Sequence, residues 1–262
     1  MGPEYPLQSI SAAIGVALLT EVFGFSSGFV GYYRKRLIDF KSAIPFIIIG
    51  VPIGIVGAIL LGILGQYEEV LRGSYAFLML VLSYIIIRHH EPTTDGQESK
   101  NTISGNKDFA FGKLMRTIKD RDGRVYNYPV PYQGKGALAT GIGGFLTGLL
   151  GVGIGEVVMP QLVKRNKVPI PVAAATSVFI VIVVVASASF TQITTLIAQG
   201  GLNSVPWNVV VYTIPAVIIG GQIGPRLQGK VSQRSMEKGI GYLFLLIGIA
   251  MAWIAIRNTF FI

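Results

Sequence analysis

The chain has 262 residues, 51% hydrophobic and only 13% charged, with 22 Lys and Arg against 13 Asp and Glu for a net charge of +9; its mean hydropathy is +0.59. A soluble domain carries about 25% charged residues, so the composition excludes a soluble fold, and the absence of cysteine excludes a disulfide framework, thiol chemistry and cysteine-ligated metal. The positive charge reads as Lys and Arg held on the cytoplasmic face of a membrane protein and not as a nucleic-acid footprint, and the opening MGPEYPLQSI lacks the basic-then-apolar order of a cleaved signal.

Seven apolar elements follow in chain order, at about 9–31, 42–65, 73–88, 136–163, 172–198, 206–226 and 239–257. Ser42–Gly65, Val168–Pro225 and Gly239–Ile256 contain no Asp, Glu, Lys, Arg or His, and about 20 such residues span a bilayer. The one long polar stretch, Glu91–Gly134, separates a first membrane repeat (1–90) from a second (135–262). Within that connector, KLMRTIK and RVYNYPV flank Asp120-Arg121-Asp122-Gly123, which reads either as a β-hairpin with Asp-Gly at the turn or as a disordered linker.

The halves resemble each other. A shift of 167 residues aligns Gly54 with Gly221, Gly57 with Gly224, Tyr75 with Tyr242 and Phe77 with Phe244, which points to an internal duplication. Charge then selects a topology. With all seven elements crossing, Lys and Arg divide 14 to 8 between the faces. With 136–163 entering and leaving on one side they divide 20 to 2, leaving only Arg72 and Arg257 opposite, as the positive-inside rule favours. Gly151, Gly153 and Gly155 provide the break that such a re-entrant hairpin needs. The expected fold is therefore an all-α polytopic membrane protein of two repeated, inverted halves, with about six full spans and one Gly-broken hairpin. Inverted halves occur in many secondary transporters. The basic loops and the 91–134 connector would be cytoplasmic.

The segment Gly148-Leu-Leu-Gly-Val-Gly-Ile-Gly-Glu-Val-Val-Met-Pro160, followed by Val168-Pro-Ile-Pro-Val-Ala-Ala-Ala-Thr-Ser177, resembles the TauE/SafE family of sulfite and organosulfur-anion exporters. Its members show a G-x-G-G-G segment, a Pro five residues later and an A-x-A-T-S helix start. The resemblance covers nearly the whole chain, including the basic loop Tyr32–Asp39. It implies a transporter of the cell membrane for a small oxyanion such as sulfite, sulfoacetate or thiosulfate. Three departures stand out. Ile154 replaces one glycine of the cluster, Ile14-Gly15 stands where the first half would repeat Thr176-Ser177, and nothing upstream of Leu7 matches the Gly-rich hairpin. Either the N-terminus is short, or Met1 is an internal start of a longer protein.

Backbone N–H groups at a Gly-rich break form an anion-binding nest, and a helix start adds unpaired donors. Gly151, Gly153 and Gly155 are the candidates for the first, Thr176 and Ser177 for the second. The alternative is that these glycines only permit close helix packing, the role also expected of Gly50, Gly54, Gly57, Gly220, Gly221 and Gly224. Ser26, Ser27, Ser189 and Gln192 lie in the paired helices and either line the pathway or bond carbonyls one turn back. Glu156 and Glu21 are acidic residues inside apolar elements. Carboxylates there mark ion or proton pathways, so both are proton-coupling candidates, against a purely structural role. No metal site and no cofactor are implied. The expected partners are the small anion, the bilayer and protons, with no nucleic acid. Two other readings remain, an uncoupled anion channel on the same fold and an intramembrane enzyme. The second lacks support, because no His-Glu-x-x-His occurs.

Overall fold

A computed structural model of the chain describes residues 9–88, 115–130, 134, 136–152, 154–227 and 233–260, at 156, 223–227, 233–237 and 258–260 for the backbone alone. Gly153, the Glu156 side chain, the Gly224 side, the stretch upstream of Ser9 and residues 91–114 of the connector lie outside the described residues.

Three helices open the chain: α1 (Ile10–Arg34), α2 (Phe40–Leu64) and α3 (Glu68–Arg88). Their boundaries follow from local chemistry. Ser9 caps α1 by accepting the Ala12 N–H at 3.1 Å, and Asp39 caps α2 by accepting the Ser42 N–H at 3.1 Å, so each satisfies an orphan donor of a first turn. Glu68 and Glu69 sit at the N-terminus of α3, where the helix dipole favours anions, and both pair with Arg72, at 2.9 and 3.1 Å.

Within the connector, the described residues 115–129 form the hairpin. Strand β1 (Met115–Lys119) pairs antiparallel with β2 (Val125–Pro129), with Arg116 opposite Tyr128. The turn needs Gly123, at φ +86°, a conformation side-chain-bearing residues avoid.

The second membrane segment begins with α4 (Gly136–Leu150) and α5 (Ile154–Pro160), which runs into a π turn at Gln161–Arg165. The chain reverses between α4 and α5. A Cβ on Gly136, the first residue of α4, would collide with the Gln161 and Arg165 side chains of the π turn, and Gln161 Nε2 donates to Thr140 Oγ1 at 3.1 Å. Both ends of the element are thus side by side. Helices α6 (Ile170–Gly200), α7 (Trp207–Leu227) and α8 (Gln233–Phe260) complete the chain.

Among the described residues, five helices are long and apolar enough to cross a membrane: α1, α2, α3, α6 and 238–257 of α8. Gly136–Leu150 and Trp207–Gln222 are shorter apolar helices. Apolar side chains cover the outside as well as the core. Phe77, Leu138, Phe190, Tyr212 and Trp253 are each at least 70% exposed, whereas Ser42, Thr140, Thr147, Ser189 and Gln192 are buried. Hydrocarbon, not water, is the solvent that such a surface suits.

Without a hydrophobic drive between helices in lipid, close backbone approach supplies the packing. Helices α2 and α4 meet along glycines. Added Cβ atoms would lie 3.3 Å from Gly144 O at Gly54, 3.0 Å from Leu149 N at Gly57 and 2.8 Å from Gly50 O at Gly144. Gly221 approaches Gly24 O of α1 in the same way, at 2.8 Å, whereas Gly220 has nothing within 4 Å and is not a packing position. Beyond these, α3 packs on α8, α1 on α6 and α7, and α2 on α6.

Candidate functional site

The interruption of the fourth apolar element is built by three residues. Gly151 adopts φ +73°, and its N–H closes the end of α4 on Thr147 O at 2.9 Å. Thr147 Oγ1 donates to Gly143 O at 2.8 Å and accepts the Ile154 N–H at 2.9 Å. One hydroxyl therefore joins the last turn of α4 to the first residue of α5. Thr147 and Ile154 are both buried, so without this bond a backbone donor would be orphaned in an apolar interior.

A cavity of about 230 Å³ opens against this break. Gly151, Val152, Ile154 and Gly155 supply one wall together with Thr147. Glu21 and Phe25 of α1, Tyr75 and Met79 of α3, Val181 and Val185 of α6, and Phe244 and Ile247 of α8 supply the others. Six helices, α1, α3, α4, α5, α6 and α8, thus converge on it. At Gly151 and Gly155 backbone reaches the wall, because no side chain stands in front of it. Glu21 and Tyr75 bring the ionisable groups.

The residues proposed from sequence are placed as follows. Gly151, Gly155 and Glu21 line this cavity. The Gly151 N–H is already used within α4. Glu156 belongs to α5, next to Gly155. Thr176 and Ser177 do not stand at a helix start, because α6 begins at Ile170. Thr176 Oγ1 accepts the Asp39 N–H at 3.0 Å, and Ser177 donates to Ala174 O at 2.9 Å. Ser26 lies half-buried on α1. Ser27 donates to Ile218 O at 2.9 Å and accepts from Gln222 Nε2 at 2.9 Å, tying α1 to α7. Ser189 and Gln192 are buried in α6, where Gln192 Nε2 reaches Ser11 O of α1 at 3.3 Å. None of these six lines the central cavity.

Among the polar and aromatic lining residues, Thr147, Tyr75, Phe25 and Phe244 were not proposed for a site from sequence. Thr147 carried one signal, a hydroxyl residue one turn before the glycine break. Phe244 and Tyr75 each belong to one of the aromatic pairs of the internal repeat, and that was the signal available for them.

A second polar centre lies at the end of the bundle where α1 turns into α2. Asp39 is buried and is held from four directions. Arg116 of β1 pairs with it at 2.8 Å, Tyr128 of β2 donates to Oδ2 at 2.7 Å, the Ser42 hydroxyl donates to the same oxygen, and the Ser42 N–H donates to Oδ1. Burial alone would push the Asp39 carboxyl up. The hydrogen bonds from Ser42, Tyr128 and Arg116 together outweigh it and hold the carboxyl below its usual range. Burial first, and then the Asp39 carboxylate, push the Tyr128 phenol up, so it remains a donor. Through Asp39 the hairpin is fastened to the α1–α2 turn, and through the Asp39 N–H that turn is fastened to Thr176. The Arg121 N–H adds a bond to Lys35 O at 3.1 Å.

The family model described as Sulfite exporter TauE/SafE matches residues 5–251. A curated relative named "Probable membrane transporter protein YunE", from Bacillus subtilis (strain 168), is 24% identical over 242 residues, covering 92% of this chain and 80% of that protein. No solved structure matches the chain.

Proposed function

This chain is a membrane transporter belonging to the sulfite exporter TauE/SafE family, and from that premise we propose that it moves a small sulfur-containing or organic anion, of the sulfite, sulfoacetate or thiosulfate class, across the cytoplasmic membrane by a secondary, proton-coupled route. The observation that carries this reading is the central cavity at the interrupted helix. Interrupted helices deep in a bundle are where secondary transporters bind substrate, because irregular backbone is tolerated there only against a cavity. Its mixture of first-turn helix backbone at Gly155, one carboxylic acid at Glu21 and aromatic rings suits a small anion that moves with a proton. Glu156, next to Gly155, is the second candidate to carry that proton.

The proposed topology places the ends 34–40, 88–136, 165–170 and 227–233 on the cytoplasmic side, with α4 and α5 entering and leaving there. The adjacency of Gly136 to Gln161 and Arg165 supports the re-entrant path. Support for two equivalent halves comes from the packing. Exchanging α1 with α6, α2 with α7 and α3 with α8 leaves the α1–α6 and α3–α8 contacts in place, and turns α1–α7 into α2–α6.

The test is flux of radiolabelled sulfite, thiosulfate, sulfoacetate, sulfate and acetate in proteoliposomes, with and without a pH gradient. A carrier gives saturable flux that the gradient drives uphill. Flux that ignores the gradient selects the channel, and no flux of any of the five sinks the reading. Glu21→Gln and Glu156→Gln should each shift the pH dependence of flux; two unchanged profiles would dismiss the coupling role.

A further inference from the structure

A second, larger cavity of about 430 Å³ lies at the α1–α2 turn, lined by Tyr33, Arg34, Arg36, Ile38 and Phe40. Neither Arg34 nor Arg36 has an ion-pair partner among the described residues. The nearest carboxylate in sequence, Asp39, is already neutralised by Arg116. Lys35 and Lys41 stand exposed on either side, so the cavity mouth carries uncompensated positive charge. Arg36 is held at φ +56°, the left-handed conformation in which many helices end. The docked β-hairpin holds this turn through the Arg121 N–H on Lys35 O.

An aromatic layer separates this cavity from the central one. Phe25 lines the central cavity and Tyr33 lines the basic one; eight residues apart on α1, they are separated by about 12 Å along the axis. Phe29 lies between them, its ring 5.8 Å from that of Tyr33 and 5.9 Å from that of Phe179 on α6. Phe179 in turn meets Phe40 edge-on at 4.9 Å. Two positions further on, Val181 already lines the central cavity.

We infer that the basic cavity is a second anion site, an antechamber in which Arg34 and Arg36 hold an oxyanion group on the outer side of the Phe29–Phe179 layer. Guanidinium groups suit such a ligand because their planar donors bind oxyanions in pairs. The same chemistry is offered by a free sulfur or phosphorus oxyanion and by the phosphate of an anionic lipid. The antechamber role rests on the transport reading above, whereas the binding itself does not.

Because the chain has no cysteine, Tyr33→Cys places a single thiol in the cavity. Its reaction rate with a neutral maleimide is measured in vesicles of phosphatidylcholine alone, with sodium sulfate or phosphate added at chloride-matched ionic strength. It is measured again in vesicles containing phosphatidylglycerol. The expected result is protection by sulfate or phosphate, reduced by about tenfold in apparent affinity when Arg34→Gln and Arg36→Gln are added, the loss expected of one charged hydrogen bond. Protection only with phosphatidylglycerol, lost in the same double variant, assigns the site to lipid phosphate. A rate that is the same under every condition overturns the inference. In flux assays the double variant without the cysteine should raise KM several-fold and leave kcat unchanged, while an unaltered KM removes the antechamber role. Absence of flux in the wild-type protein would count against the transport reading alone, since the labelling still reports on the site.

Discussion

Single residues divide into those whose chemistry is local and those that join distant segments. Gly148 is of the second kind. A Cβ there would run into Gly54 O and lie 2.8 Å from Ala58 N, backbone that has no freedom to give way. Gly148→Ala should therefore cost about 1–3 kcal/mol, read as a lowered Tm of the detergent-solubilised protein. Gly28→Ala, where nothing lies within 4 Å, is the control and should leave Tm unaltered or slightly raised. Asp39 is the other joining residue. Its carboxyl is held below its unfolded value, so its contribution is complete above the ordinary carboxylate range and is lost only as pH falls through the lower folded value. Amide protection factors across 115–129, taken against the intrinsic rate at each pH, should thus hold from neutral pH to about pH 5 and fall in stronger acid. Asp39→Asn should release the hairpin at neutral pH, at a cost on the order of 3 kcal/mol for an Arg116 left without its charge partner. The packing glycines of α2 were legible in sequence from their spacing. Asp39 was not, because its partners lie 77 and 89 positions away and no periodicity reports such a pairing.

At the scale of elements, the interrupted pair α4 and α5 depends on Thr147 and Gly151 in different ways. Thr147→Val removes the acceptor for the Ile154 N–H and orphans a buried donor, which costs about 1–3 kcal/mol. Gly151→Ala meets ordinary space, with Ile14 Cγ2 at 3.7 Å, so its penalty is the positive φ, about 1–2 kcal/mol. Both should lower Tm. Flux should fall further for Thr147→Val, because the junction that shapes the cavity wall is then unpinned; equal flux losses would show that the two positions act only through stability. The glycines mark the break in the sequence itself, since few other residues allow the chain to reverse inside an apolar run. The hydroxyl that splices it gave a weaker signal, because threonine in an apolar helix usually bonds its own preceding turn, and Thr147 does that as well.

The whole molecule is organised by which end of the bundle each loop reaches. The proposed orientation predicts that single cysteines introduced at Lys35, Lys119 and Lys164 react with an impermeant thiol reagent from the cytoplasmic side, and one at Leu202 from outside. Reaction of positions 35 and 164 from opposite faces would refute the re-entrant path. The contact pattern that exchanges the halves also shows where they differ. Helix α2 is backed by α4, while α7 carries an exposed face that includes Val211, Tyr212, Ile218 and Ile219.

By itself the sequence determined that this is a multi-span membrane protein, where its apolar helices lie, where the fourth is interrupted and which family it resembles. Those properties are carried by composition, by uncharged runs and by glycine spacing, all of which act over one helix length or less. Only the tertiary structure decided which polar residues face the central cavity. It brought Glu21, Tyr75 and Thr147 to that cavity, set Thr176, Ser27 and Gln192 to holding helices and turns together, and turned Ser177 onto Ala174 O of its own helix. The physical reason is that a hydroxyl or carboxamide in an apolar interior must find some partner, and its helix does not specify whether that partner is a ligand or a neighbouring backbone. That choice belongs to the rotation of one helix against another, which close-packed glycines and interhelical hydrogen bonds fix together.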